Sequence, residues 1–365
     1  MIDIKSSLKN IDYIILGLVL ILMFWGVLNI YSASFHEYKN LYLKQLFYVF
    51  LSIFIMLSIS FLDYRKFIHF SIVFYVIGLL LLIAVKLFGV TILGAKRWIN
   101  IGFMVLQPSE FFKFIMIALV SEYLGNKELP IKLKDIFIIL ILLAIPFILI
   151  KSQPDLGTAL SVAFPVLFIL FLAGINRWII IVGILSIIIL SPFVWFHLAD
   201  YQKDRIKAFL NPESDPLGSA YHIIQSKIAV GSGQLFGKGF LEGTQSKYYF
   251  LPEQHTDFIF ATIGEEWGFV ISSILVLIYL ILGLRIFYFG YLVKDKTAKF
   301  FCYGTASLIL MQSFINIAMN TGLAPVVGIP LPFVSYGGSS LLTFSILIGT
   351  VLSIIRIYKK EKLHF

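Results

Sequence analysis

Asp257-Phe258-Ile259-Phe260-Ala261-Thr262-Ile263-Gly264-Glu265-Glu266-Trp267-Gly268 opens a stretch that stays apolar to Leu284. A bilayer core of about 30 Å is crossed by roughly 20 apolar residues in a helix. Asp257–Leu284 is long enough, and its three acids stand where lipid makes charge costly. Nine further stretches resemble it in hydropathy: Tyr13–Ala33, Leu43–Leu62, Phe67–Phe88, Pro108–Tyr123, Ile136–Ile150, Leu156–Gly174, Trp178–Leu198, Phe300–Thr321 and Tyr336–Ile357. None alternates as a barrel strand would, so helices are expected. Pro146, Pro165 and Pro192 fall inside apolar runs and predict kinks.

Composition agrees. The 365 residues are 59% hydrophobic and 13% charged, with mean hydropathy +0.93. Too few polar residues remain to cover a water-soluble core, and disorder or a collagen-like chain is excluded as well. One cysteine, Cys302, makes no intramolecular bridge. The expected fold is an all-α polytopic membrane protein, about ten transmembrane helices in a single integral domain over 1–365. The net charge of +9 belongs with cytoplasmic loops and anionic lipid, and no basic stripe points to nucleic acid.

Alternate connections differ in charge. One side carries sixteen Lys and Arg, among them Lys5, Lys9, Arg65, Lys66, Arg285 and Lys294; the short loops of the other carry five, Lys39, Lys44, Lys96, Arg97 and Lys151. The positive-inside rule then makes both termini cytoplasmic and the long segment 199–256, between the seventh and eighth spans, external. Ser32-Ala33-Ser34 faintly resembles a cleavage site, but the first span is long for a secretory signal and reads as an uncleaved anchor. Within the external loop, Ala220–Ile228 predicts an amphipathic helix and Gly231–Gly239 a glycine-dense turn. The short C-terminal tail leaves chemistry to the membrane or its outer face.

Several polar residues need an explanation. Glu110 and Lys113 share one helix face, as a neutralised structural pair or as a lining that orients substrate. Asp155 can cap a helix or face the same cavity. Asp257 can likewise be a cap, yet Glu265 and Glu266 follow it into the span. His255 with Asp257 makes only a weak metal pair, with no further His nearby. Lys96-Arg97-Trp98 reads as an interfacial anchor or as a diphosphate clamp, since Arg matches phosphate oxygens with a fork of donors. The Pro/Gly-broken segment Gly328–Ser340, with Ser335 inside it, is expected to line a cavity.

Gly94–Trp98, Gln107–Glu110, Gln153–Thr158, Gly231–Gly239, Pro252–Phe260 with Gly264-Glu265-Glu266, Asn320-Thr321-Gly322 and Pro330–Ser340, in this order, resemble the SEDS family of bacterial cell-wall polymerases. The likeness covers nearly the whole chain. Arg205-Ile206, Asp215–Gly218, Ile224–Ala229 and Gly243–Ser246 are similar to the elongation branch more than to the division branch. Val230, Gln234, Trp267 and Ala324 depart from the pattern.

The resemblance implies lipid II as substrate and a growing β-1,4-linked glycan as product, with inversion at the anomeric carbon and release of undecaprenyl diphosphate. It also implies a class B penicillin-binding transpeptidase as partner, within the elongation machinery, with the eighth and ninth spans as the expected docking face. Diphosphate leaves without a general acid, so one base is enough, with cations for the leaving charge. Asp257 is the expected base. Lys96, Arg97, Trp98, Glu110, Lys113, Asp155 and Ser335 are expected to bind and orient, with Arg205 and Lys238 as further diphosphate contacts. Mg²⁺ or Mn²⁺ held through diphosphate oxygens is also expected, its protein ligands open. Two other classes compete: a lipid-linked-sugar flippase or ion-coupled transporter, which the intramembrane charges would suit, and a noncatalytic scaffold.

Overall fold

The computed structural model describes residues 10–363 apart from 36–39, 93, 103, 217, 219, 249 and 252. Lys5, Lys9 and Lys39 of the charge comparison, and Leu217 and Pro252 of the motifs, lie outside the described residues.

Each of the ten apolar stretches is a helix. They are α1 (Tyr13–Ser34), α2 (Leu41–Phe61), α4 (Ser71–Phe88), α5 (Pro108–Gly125), α6 (Leu133–Lys151), α7 (Leu156–Leu172), α8 (Arg177–His197), α12 (Ile259–Leu292), α13 (Lys296–Asn320) and α14 (Gly338–Leu363). The short α3 (Tyr64–His69) lies between α2 and α4. Among the described residues seven of these helices are long and apolar enough to cross a membrane alone. α7 is shorter, at 17 residues, and α5 carries Glu110, Lys113 and Glu122. The chain is a multi-pass membrane protein.

Packing explains why α5 tolerates charge. It lies against α4, α7, α13 and α14, and most of its residues are buried in protein rather than turned to lipid. α13 and α14 are interior too. α4 and α6 turn Leu80, Phe88, Phe137 and Ile148 outward. Asp12 caps α1 through Ile15 N at 3.0 Å and takes two bonds of 2.8 Å from Arg285, tying α1 to the far part of α12. The paired donors of Arg suit a carboxylate better than a single amine would.

α6, α7 and α8 run on through Pro146, Pro165 and Pro192. A marked break occurs elsewhere, at Gly268 of α12, with φ +74 and ψ −174. That conformation is open essentially to glycine alone. It frees backbone groups that lipid cannot satisfy. The glycine-dense turn supplies them: Phe269 N donates to Gln234 O at 2.9 Å and Val270 N to Leu235 O at 3.1 Å. In return Lys238 N and Gly239 N donate to Glu265 O and Glu266 O, each at 3.0 Å. A Cβ on Gly268 would strike Gly237 N and lie 2.6 Å from Phe236 C, so the two chains touch backbone to backbone.

The segment 199–256 holds α9 (Asp200–Leu210), α10 (Tyr221–Ser232) and the single turn α11 (Thr244–Lys247). The helix expected at Ala220–Ile228 thus continues to Ser232. Between α4 and α5, Gly94–Trp98 falls in a small antiparallel sheet, β1 (Val90–Ile92), β2 (Ala95–Asn100) and β3 (Val105–Leu106), in that order.

Candidate active site

Asp257 lies just before α12, on the turn by which the long 199–256 segment enters the bundle. The main chain here is held from several sides. Asn316 and Asn320 of α13 each donate to Asp257 O at 2.9 Å. Ser335 Oγ donates to Thr256 O at 2.7 Å and accepts from Leu331 N at 2.7 Å. Tyr336 N donates to His255 O at 2.9 Å. The broken segment before α14 therefore braces the turn, and Ser335 acts through the backbone.

The Asp257 carboxylate itself is left open. Among the described residues no hydrogen bond reaches it. It lines a hollow of about 120 Å³ with Arg205, His222, Ile223, Glu253, Phe258 and Val326. Arg205 comes from α9 and His222 from α10, so both helices of the 199–256 segment reach the hollow. Withdrawal from bulk water pushes Asp257 up to about 6; Glu253 and Asp155 push it the same way, while Arg205 and Arg97 pull it down. A carboxyl so tuned is mostly ionised at neutral pH and more basic than a free one. Burial, with help from Arg205, lowers His222. Its ring stacks on Phe258 at 6.1 Å.

Arg97 and Asp155 adjoin this region. Asp155 caps α7 through Thr158 N at 3.1 Å, accepts from Gln107 Nε2 at 2.8 Å and lies 3.8 Å from Arg97. Arg97 Nε donates to Gln153 O at 2.9 Å and Nη2 to Pro154 O. Asp155 is the cap of α7; it is not among the residues lining the hollow, though its charge raises Asp257. Lys96 instead reaches back to Leu87 O at 2.8 Å, and Trp98 stays on β2 beside Arg97.

Of the expected site residues, only Asp257 and Arg205 line the hollow. Glu110 and Lys113 close on each other at 2.7 and 2.8 Å, with 3% and 1% exposure, and the ammonium sits 5.7 Å from the Phe344 ring. Neither lines the cavity beside Asp257. Lys238 is engaged at the Gly268 break, bonding Glu265 at 2.7 Å and Thr244 at 2.8 Å. Gln245 N and Ser246 also donate to Glu265, so that acid anchors the loop. Glu266 faces α1 and accepts from Ser32.

A family profile described as "Cell cycle protein" (FtsW, RodA, SpoVE) matches residues 12–360. The chain belongs to this family. Peptidoglycan glycosyltransferase MrdB of Escherichia coli K12 is 39% identical over 346 residues, 94% of this chain and 93% of the relative. Peptidoglycan glycosyltransferase RodA of Treponema pallidum is 34% identical, covering 95% of this chain and 98% of the relative. A solved structure described as "Structural coordination of polymerization and crosslinking by a peptidoglycan synthase complex" superimposes with a TM-score of 0.83 at 29% identity, over 95% of this chain and 98% of that one. RodA of Thermus thermophilus superimposes at 0.70 and 25% identity, over 96% and 97%.

Sequence reasoning assigns no role to His222, Glu253, Asn316 and Asn320, although Glu253 and Asn320 stand within the matching motifs. The two asparagines carried a signal: they stand one turn apart in an apolar helix, where unpaired amides are costly. His222 carried none, because residues of a polar loop look alike until the loop folds. As for a metal, among the described residues no three His, Cys, Asp or Glu side chains converge as ligands. The donors beside Asp257 do not form a protein cage.

Proposed function

We propose that this protein polymerises lipid II into β-1,4-linked glycan at the outer face of the bacterial cytoplasmic membrane, for cell elongation. The observation that carries the reading is the open carboxylate of Asp257 in a hollow shared with Arg205. Asp257 takes the proton of the acceptor GlcNAc 4-hydroxyl. That oxygen attacks the anomeric carbon of the donor MurNAc, the bond from that carbon to the diphosphate breaks, and undecaprenyl diphosphate leaves with the electron pair. Arg205 and Arg97 are the cations closest in effect to Asp257, and both suit a diphosphate. Asp155 and Gln107 hold Arg97 in place, and Ser335 braces the turn. Lys96 and Trp98 of β2 serve at the sugar-facing interface. Glu110 and Lys113 neutralise each other in the interior, and Lys238 secures the loop.

Mg²⁺ or Mn²⁺ would be held chiefly by the substrate's diphosphate oxygens, and no step here is routed through it. The orientation follows the charge comparison, with both termini cytoplasmic and α9 and α10 outside. A class B penicillin-binding transpeptidase is the proposed partner, consistent with a relative seen in a complex coordinating polymerization and crosslinking.

The test is polymerisation of labelled lipid II by the purified protein, with and without the transpeptidase and divalent metal, and with Asp257→Asn. Glycan formation in detergent, abolished by the substitution, supports the reading. Wild-type polymerisation by the variant overturns the base assignment. Lipid II movement across proteoliposomes without glycan formation would favour the transporter class.

A further inference from the structure

In a regular helix the N–H of Ala261 would bond to the carbonyl of Asp257, four residues back. Here that bond is absent. The carboxamide of Asn320 stands in the gap: its Nδ2 donates to Asp257 O at 2.9 Å, and its Oδ1 accepts from Ala261 N at 3.0 Å. Ala261 N also turns to Phe258 O at 3.0 Å, a tighter turn, and the first regular helical bond of α12 runs from Thr262 N to Phe258 O. Asn316, one turn earlier on α13, adds a second amide to Asp257 O and ties Ile329 O by a bond of 2.8 Å. Asn320 O in turn accepts from Ser226 of α10. Both asparagines are fully buried.

We propose that Asn320 is a positioning residue that wedges open the first turn of α12 and so holds Asp257 outside the helix. A side chain inserted into the helical hydrogen-bond ladder is a recognised cause of a local break. Its consequence here concerns the carboxylate. Were Asp257 drawn into the first turn, its O would bond to Ala261 N, the residue would rotate to helical geometry, and the carboxylate would leave its place opposite Arg205. The wedge also links the acid to both sides of the hollow, because the same two asparagines hold α10 through Ser226 and the Gly328 segment through Ile329. This inference rests on Asp257 being the base.

The experiment compares purified wild type, Asn320→Ala, Asn316→Ala and Asp257→Asn in lipid II polymerisation across pH, with thermal unfolding of each. Asn320→Ala is expected to lower kcat by about a hundredfold, the scale of a 1 Å misplacement, while KM for lipid II stays near wild type. The midpoint of its acid limb is expected to move, because the acid changes its distances to Arg205, Glu253, Asp155, Arg97 and His222. Asn316→Ala leaves the Ala261 bond in place and is expected to show a weaker form of both effects; it decides the matter if Asn320→Ala does not fold. An unmoved midpoint, with rate falling only in step with the folded fraction, overturns the wedge. If Asp257→Asn is inactive while both asparagine variants keep the wild-type profile, the wedge fails and the base stands. If Asp257→Asn polymerises normally, the base assignment fails and the wedge with it.

Discussion

Gly328 lies directly against the carboxylate of Asp257. A Cβ built on Gly328 would lie 3.4 Å from the Asp257 Oδ2 and 3.9 Å from Arg205 Nη1, and the residue has φ +75. Glycine is favoured here for its left-handed backbone, while a methyl group would make ordinary contact with both acid and cation. Gly328→Ala is expected to cost about 1–2 kcal/mol in backbone strain and to place a methyl group against the carboxylate. Polymerisation should fall by more than the loss of folded protein accounts for, which activity per folded molecule will show. Unchanged specific activity would mean that substrate does not enter between these two groups.

Asp257→Asn should abolish polymerisation and yet strengthen the fold at neutral pH. The folded protein holds this proton up to about 6, above the ordinary 3.8. Protonation thus favours the folded state: that contribution is complete below the ordinary value and is lost as pH rises through about 6. Asparagine stays neutral throughout. Thermal unfolding should show the variant above wild type at pH 7.5, with the gap closing by pH 4. A variant less stable than wild type at pH 7.5 would contradict the environment described for this acid.

The same proton sets the activity profile. Wild-type rate should rise with pH through about 6, as Asp257 ionises. Arg205 pulls this acid down, so Arg205→Ala should move the limb to higher pH as well as slow the reaction. Arg205→Lys keeps the charge but not the fork of donors, and should hold the limb nearer wild type with a weaker rate. The pH dependence of kcat/KM for the three proteins is the measurement. An Arg205→Ala limb coincident with wild type would remove Arg205 from the field of the base.

Glu110 and Lys113 form a sealed pair, so removing either one strands the other. Glu110→Ala and Lys113→Ala should each cost about 3–5 kcal/mol, because a buried charge is left uncompensated. Glu110→Gln combined with Lys113→Met should regain most of that loss. Thermal unfolding of the two single variants and the double variant decides it; a double variant no more stable than either single would show that the charges do not compensate each other.

Much of this protein could be read along the chain, because its helices answer to one local condition. Apolar length against bilayer thickness identified ten helices, with ends displaced by up to eight residues, as at Leu284 against Leu292. Lipid leaves a backbone no choice but to bond within its own segment, so hydropathy alone specifies a helix. Asp257 could be singled out for a related reason: an acid at the head of an apolar run is costly and needs an explanation.

What surrounds Asp257 was decided only by the tertiary structure. Arg205 and His222 come from separate helices of the 199–256 segment, and Asn320 lies 63 residues downstream of the acid. Nothing in local sequence states which of many polar loop residues will converge. The break at Gly268 is a further example, since one glycine inside a helix becomes a hinge only when another backbone stands ready to take its freed groups. Helix formation is a bargain between a segment and its solvent, whereas the hollow is a relation among segments that share no local pattern.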